Sequence, residues 1–213
     1  MIAHDVPQGS PAWHSLRSGI PTASEFSKLI TSTGDPSKSL AGYALTLAGE
    51  AFAGKPLDVF EGTDWTERGK LLEAEALKQY EFVNDCTVEP VGFVTDDAIT
   101  HGCSPDALVG PGMVEVKCLK AENHIKAILY FQKNGTCPTD YVQQTQGQMM
   151  ICGRAWCDLI FYHPELPPLT IRQKADADIQ AALQIGIKNV LAERDRVLAA
   201  LKAQQSPEKK EAA

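Results

Sequence analysis

The stretch from Cys103 to Cys118, Cys-Ser-Pro-Asp-Ala-Leu-Val-Gly-Pro-Gly-Met-Val-Glu-Val-Lys-Cys, leaves this chain few folds to choose from. Gly110-Pro111-Gly112 is a turn signal, and Met113 to Cys118 alternates with the period of two expected of a β-strand. Folding the chain back about that turn sets Asp106 roughly opposite the Glu115–Val116 pair. Glu115 and Lys117 then share one face, while Val114, Val116 and Cys118 point to the other. Two carboxylates and one ammonium converge on a small patch of a half-buried hairpin. Burying such charges is costly unless they are paired or hold a metal, so the pattern marks a site.

The residue types suggest its chemistry. A pair of carboxylates suits a hard, oxygen-seeking divalent ion, and Mg²⁺ typically takes one or two of them together with waters and substrate phosphate. Mn²⁺ is the expected substitute. Such an ion polarises a phosphoryl oxygen and lowers the pKa of a bound water. Lys117 beside it would orient the attacking water or help to deprotonate it, and would stabilise the transition state. Together these parts describe phosphodiester hydrolysis. The plainer alternative is a surface hairpin with solvated Glu115 and Lys117.

Four blocks of sequence bear on that choice. Ser104-Pro-Asp-Ala-Leu with Glu115-Val-Lys117 resembles the core of the PD-(D/E)XK nucleases. Trp13-His-Ser-Leu-Arg-Ser-Gly-Ile-Pro-Thr-Ala-Ser-Glu-Phe26 resembles the amino-terminal block of the lambda phage-type exonucleases, the YqaJ-like viral recombinase family. Arg68-Gly-Lys-Leu-Leu-Glu73 is similar to that family's Gly-Lys-x-x-Glu helix, and Tyr141-Val-Gln-Gln-Thr-Gln-Gly-Gln-Met-Met150 to its glutamine-rich helix. The blocks come in the family's order and span about residues 8 to 163.

The resemblance implies a restriction-endonuclease-like α/β core, a central mixed β-sheet flanked by helices. It implies Asp106 and Glu115 as metal carboxylates, the main-chain carbonyl of Val116 as a further ligand, and Lys117 as the catalytic lysine. Glu73 would be an additional acid serving a second metal or the water. Gln144 would help position substrate or water. Arg17 would grip a 5′-terminal phosphate, with Ser24 and Ser104 nearby as hydrogen-bonding partners. It further implies digestion of linear double-stranded DNA from its 5′ ends to mononucleotides, leaving a 3′ single strand for recombination. A homotrimeric ring and a single-strand annealing protein as partner belong to the same picture. Ala107 stands where the family pattern has glycine, and Pro21 interrupts the run before Thr22; neither removes a charged group.

Local sequence is consistent with these blocks. Ser10-Pro11 is a helix start and Gly19 a stop, which puts Arg17 in the last turn of a short helix. A helix-end arginine satisfying free carbonyls is the bland alternative. Thr22-Ala-Ser-Glu25 reads as a capping box opening another helix, with Ser24 in the turn that offers amides to an anion. In Trp65 to Phe82, Leu72, Ala76 and Tyr80 recur at helical spacing. Both Glu73 and Glu75 are candidate acids there, and spacing does not choose between them. Glutamines 143, 144, 146 and 148 both donate and accept, which suits phosphate and water contacts. A solvated polar face is the simpler reading for at least two of them.

With 213 residues and 44% hydrophobic content, the chain is long enough to bury a core, and we expect one nuclease domain over 1–205 with a flexible tail at 206–213. No run suits a membrane-spanning helix and no signal peptide is evident. Six cysteines show no zinc-type spacing. No cysteine precedes Cys86 to serve as the upstream ligand of an iron–sulfur cluster, so neither zinc nor a cluster is expected. A reducing cytoplasm fits best, here that of a bacterial host carrying a phage or prophage. The net charge of −7 is concentrated between residues 55 and 100, and the remainder is balanced. Lys120, Lys126 and Lys133 follow Lys117 with Glu122 as the only acid, and are candidates for duplex-backbone contacts.

The pattern predicts helices near 10–18, 22–32, 39–53, 65–82, 121–134, 138–151 and 176–204, and strands near 87–95, 99–102, 106–109, 113–118, 156–162 and 169–174. Residues 35–39 and 54–64 read as loops. Two rivals to the exonuclease are a structure-specific or single-strand endonuclease built on the same core, and a non-catalytic DNA-binding recombination scaffold. A closed circular duplex separates the first, and the intact Asp106, Glu115 and Lys117 argue against the second.

Overall fold

A computed structural model describes residues 1–57 and 64–205, so the tail expected at 206–213 and most of the second loop lie outside the described residues. In chain order the elements are β1 (Ile2–His4), α1 (Pro11–Arg17), a 3₁₀ segment (Ala23–Lys28), α2 (Leu40–Ala53) and α3 (Asp64–Asn84). Five strands follow: β2 (Glu89–Pro90), β3 (Phe93–Thr95), β4 (Gly102–Cys103), β5 (Ala107–Val109) and β6 (Gly112–Cys118). Then come α4 (Ala121–Asn134), a 3₁₀ turn (Thr139–Tyr141), α5 (Val142–Cys152), β7 (Trp156–Tyr162), β8 (Leu169–Lys174) and α6 (Ala177–Gln205).

The expected hairpin forms around Gly110-Pro111, with Ala107 opposite Val114 and Val109 opposite Gly112. Strands β2, β5, β6, β7 and β8 lie side by side in that order, with β6 and β7 parallel and the other neighbours antiparallel. Parallel strands need a long crossover, and here α4 and α5 supply it. A second sheet, β1-β3-β4, is antiparallel. The architecture is thus a mixed α/β fold, as expected.

Period-two alternation divides the large sheet between two sets of helices. Val114 and Val116 of β6 join Ala107, Ile160 and Tyr162 in a cluster with Ala76 and Tyr80 of α3. On the other face Met113 packs with Met149 of α5 and Cys157, and Leu159 and Phe161 with Ala127 of α4. The Tyr80 hydroxyl donates to Asp158 at 2.7 Å, and the Arg172 guanidinium grips the same carboxylate at 2.8 and 2.7 Å. That network fixes α3 to β7 and β8. A separate core joins Phe26, Leu29 and Ile30 to α2 and to Leu183, Ile187 and Val190 of α6.

Several elements differ from expectation. The helix predicted over 22–32 is only the 3₁₀ segment. Thr22 forms no side-chain cap; Arg17 and Ser24 engage its hydroxyl, and its backbone bridges Gly102. The capping box therefore does not close, and Glu25 pairs with Lys28. The strand predicted over 87–95 divides at Val91-Gly92 between the two sheets, and Gly92 lies so close to the 4–6 segment that a Cβ would meet the Val6 carbonyl at 2.2 Å. The strand expected at 99–102 is displaced to Gly102–Cys103, because Asp96 gathers the amides of Thr100 and His101 into a turn. Strand β1 was not anticipated. Gln143, Gln146 and Gln148 are buried, so the simpler reading of a solvated face is wrong. Gln143 donates to the Ile30 carbonyl, and Gln146 donates to Lys174 and accepts from the Asp176 amide.

Candidate active site

Strand β6 outruns β5, and Asp106 occupies the position where the two diverge. Its Oδ2 accepts the Val116 amide at 2.6 Å. Glu115 is 3% exposed, and both its oxygens are held. Oε1 accepts from Lys117 Nζ at 2.7 Å and Gln144 Nε2 at 2.6 Å; Oε2 accepts from Gln148 Nε2 at 2.7 Å. The hairpin places its three charged groups together, and α5 clamps the central carboxylate from one side.

From the other side α3 contributes Glu73. Burial, then the charges of Glu115 and Glu73, push the Asp106 carboxyl well above its ordinary value, and the Val116 amide and Lys117 only partly offset this. Glu75 instead accepts a hydrogen bond from Tyr162, whose hydroxyl is pushed up to about 12 by burial and this carboxylate. Geometry therefore separates the two glutamates that spacing left equivalent. Burial lowers the Lys117 pKa, but Glu115 outweighs it and holds the side chain as an ammonium.

Among the described residues no three His, Cys, Asp or Glu side chains gather closely enough to hold a metal on their own. The donor set nonetheless fits Mg²⁺, which takes one or two carboxylates and completes its shell with waters. Asp106 and Glu115 are such a pair, with the Val116 carbonyl in the strand between Glu115 and Lys117. The uncompensated repulsion on Asp106 is what a divalent cation relieves.

This has a consequence for stability. A carboxyl raised above its unfolded value of 3.8 binds its proton more tightly in the folded chain. Stability is therefore lost as pH rises from the unfolded pKa through the folded one. In EDTA the melting midpoint should fall as pH rises above the ordinary carboxylate range, and the increment from added Mg²⁺ should grow in the same direction. An increment independent of pH would count against Asp106 as the titrating ligand.

A second cluster lies at the end of α1. Ser10 caps the helix by accepting the Trp13 amide at 3.2 Å, and Arg17 occupies its last turn. The guanidinium sits 4.0 Å from the Trp13 ring centroid and donates to Thr22 Oγ1 at 3.3 Å and Ser24 Oγ at 3.2 Å. Trp13 Nε1 donates to Ser104 Oγ at 2.8 Å. Arg17, Ser24 and Ser104 are thus brought together, and of the three Arg17 borders a cavity of about 560 Å³. Trp13, His14, Tyr43, Glu25 and Glu50 also border it, but none of Asp106, Glu115 and Lys117 does.

The three lysines considered for duplex contacts lie on or beside α4. Lys126 pairs with Glu122 on the exposed side of α4, Lys133 is in its last turn, and Lys120 precedes it. Sequence reasoning assigned no role to Trp13 and gave Gln148 none beyond the polar contacts open to all four glutamines. The available signal for Gln148 was its spacing of four residues from Gln144, which puts both amides on one helical face.

The family model of the YqaJ-like viral recombinase domain matches residues 12–155. An alkaline exonuclease, LHK-Exo from Laribacter hongkongensis, is 29% identical with a TM-score of 0.79, over 92% of this chain and 97% of its own. The same exonuclease in complex with dAMP matches over the same shares at 29% identity with a TM-score of 0.80. A phage-related exonuclease from Haemophilus somnus 129PT, 15% identical over 85% of this chain and 96% of its own, shares the fold with a TM-score of 0.68. A search of curated proteins returned no match. The matched stretch holds Arg17, Glu73, Asp106, Glu115, Lys117, Gln144 and Gln148, and the chain belongs to the YqaJ-like viral recombinase domain family.

Proposed function

We propose that this chain is a Mg²⁺-dependent exonuclease that degrades one strand of linear double-stranded DNA from its 5′ end to mononucleotides. Its family and its likeness to alkaline exonucleases support a DNA exonuclease role. The observation that carries the finer reading is the pairing of two clusters, Asp106–Glu115–Lys117 and Arg17–Ser24–Ser104, on adjoining segments. One suits a scissile phosphate and the other a terminal one.

A bound Mg²⁺ would supply Lewis acidity at the phosphoryl oxygen and acidify a water. Asp106, Glu115 and the Val116 carbonyl would hold it, with Glu73 serving a second ion or the water. Lys117, kept as an ammonium by Glu115, orients the attacking water and balances charge developing on the phosphorane oxygens. Gln144 keeps the Glu115 carboxylate in one rotamer. Arg17 and the two serines receive the 5′ phosphate, and Lys120, Lys126 and Lys133 would serve the duplex backbone. The proposed setting is a homotrimeric ring around the duplex in a bacterial cytoplasm. The single strand would pass to an annealing protein.

The test is digestion, with Mg²⁺, of a linear duplex phosphorylated at one 5′ end, beside a closed circle. Loss of the phosphorylated strand with the circle intact supports the proposal; cutting of the circle gives the endonuclease, and binding without cleavage the scaffold. Arg17→Ala should reduce the preference for phosphorylated over hydroxyl ends by about 10- to 100-fold, in line with a charge-assisted bond of about 1.5–3 kcal/mol. An unchanged preference would remove Arg17 from the end-binding role.

A further inference from the structure

One side chain touches both clusters. Gln148 is 1% exposed, and its Nε2 donates to Glu115 Oε2 at 2.7 Å and, over a longer contact of 3.4 Å, to the Ser104 carbonyl. Ser104 in turn accepts the Trp13 indole at its hydroxyl, and Trp13 lies beneath the Arg17 guanidinium. The contacts therefore run without a break from Arg17 through Trp13, Ser104 and Gln148 to Glu115. Gln144, one turn earlier on α5, bonds Glu115 without reaching Ser104. One turn later, the Cys152 thiol meets that of Cys103 at 3.4 Å, so the same stripe of α5 presses on β4, which Ser104 directly follows.

The orientation of the Gln148 amide follows from its surroundings. Both neighbouring acceptors are oxygens, so the NH₂ group must face them, one hydrogen to each. The Oε1 atom is then left buried without a partner among the described residues, which is unfavourable. An unbranched apolar side chain such as methionine fills similar space without that orphaned oxygen. A glutamine retained at such a cost is explained by the two hydrogen bonds it donates.

Building on the exonuclease reading, we propose that Gln148 and Trp13 are positioning residues that couple the end-binding cleft to the catalytic carboxylate. Neither touches the reacting atoms. They hold the Ser104 segment at a fixed offset from Glu115, so a phosphate seated at Arg17 places the next phosphodiester at the Asp106–Glu115 pair. The advantage of a 5′-phosphorylated end over a 5′-hydroxyl end then depends on this connection as well as on Arg17.

The experiment measures initial rates with Mg²⁺ on duplexes that differ only in 5′-phosphate or 5′-hydroxyl ends. The wild type is compared with Gln148→Met, Trp13→Phe and Gln144→Met. The Phe variant keeps a ring beneath Arg17 but loses the N–H to Ser104. The ratio of the two rates should fall about tenfold in Gln148→Met and Trp13→Phe, the size expected for one lost hydrogen bond of the stronger kind. Gln144→Met should slow both substrates equally and keep the ratio. A wild-type ratio in Gln148→Met and Trp13→Phe, with both ends slowed alike, would make Gln148 a support for Glu115 alone and overturn the coupling. If Gln148→Met does not fold, Trp13→Phe decides, and an unchanged ratio there overturns the proposal. A wild type without end preference refutes the end-binding reading itself, and the coupling with it, before any variant is compared.

Discussion

Lys117→Met should lower the rate of phosphodiester hydrolysis about 10³-fold while duplex binding changes little, because charge stabilisation at the reacting centre is lost and uniform binding is not. The geometry makes this substitution informative. Removing the ammonium takes one bond from Glu115 Oε1, but Gln144 still holds that oxygen and Gln148 still holds Oε2. The carboxylate therefore stays in place, and the loss reports on chemistry. Lys117→Arg should not restore the rate, since a planar guanidinium cannot occupy the space of a compact ammonium beside two glutamine amides. Single-turnover rates on a linear duplex, with binding measured in Ca²⁺, separate the two quantities. Near-wild-type turnover in Lys117→Met would return the residue to the role of a solvated neighbour of Glu115.

Gly147→Ala should produce a large loss of stability for so small a substitution. A Cβ at Gly147 would fall 2.3 and 2.5 Å from ring atoms of Phe26, and Phe26 is fully buried, so the ring has nowhere to turn. Helix α5 and the 3₁₀ segment must separate, at about 3 kcal/mol by analogy with overpacked cores. For a chain of this length that lowers the melting midpoint by about 6–12 °C. Gly42→Ala provides the comparison: nothing lies within 4 Å of its Cβ position in α2, and alanine there should be neutral or stabilising by up to about 1 kcal/mol. Activity should fall in Gly147→Ala even well below the transition, because Gly147 adjoins Gln148 while Phe26 lies two residues from Ser24. An unchanged midpoint would mean that α5 and the 3₁₀ segment pack less tightly than the structure indicates.

The hairpin was legible because its signals are local. A two-residue turn and a strict period of two set the register, and the register set Asp106, Glu115 and Lys117 around one point. Helices α2, α3, α4 and α6 were readable for the same reason, from repeating apolar positions and their stops. What failed depended on distant partners. Thr22 looks like a cap until Arg17 arrives to claim its hydroxyl. The run 87–95 looks like one strand, since nothing in it shows that Gly92 must pass close to Val6. The glutamines of α5 look solvated because amides usually are. Their burial depends on acceptors 28 to 113 residues away, in Ile30, Ser104, Glu115 and Lys174. Spacing left Glu73 and Glu75 equivalent and the family resemblance named Glu73; that Glu75 accepts from Tyr162 depends on a residue far along the chain.

The five-stranded sheet also constrains how copies of this chain can meet. At one border β2 is two residues long and ends in Pro90, which has no amide hydrogen to offer a neighbour. At the other, β8 carries Arg172 and Lys174, and Gln146 already occupies the Lys174 carbonyl. Charged, short or proline-terminated borders discourage recruitment of a further strand. Association between copies should therefore not extend this sheet, leaving its hydrogen-bond ladder the same in the isolated chain as in any assembly it joins. Amide exchange in β6 and β7 would then be insensitive to protein concentration.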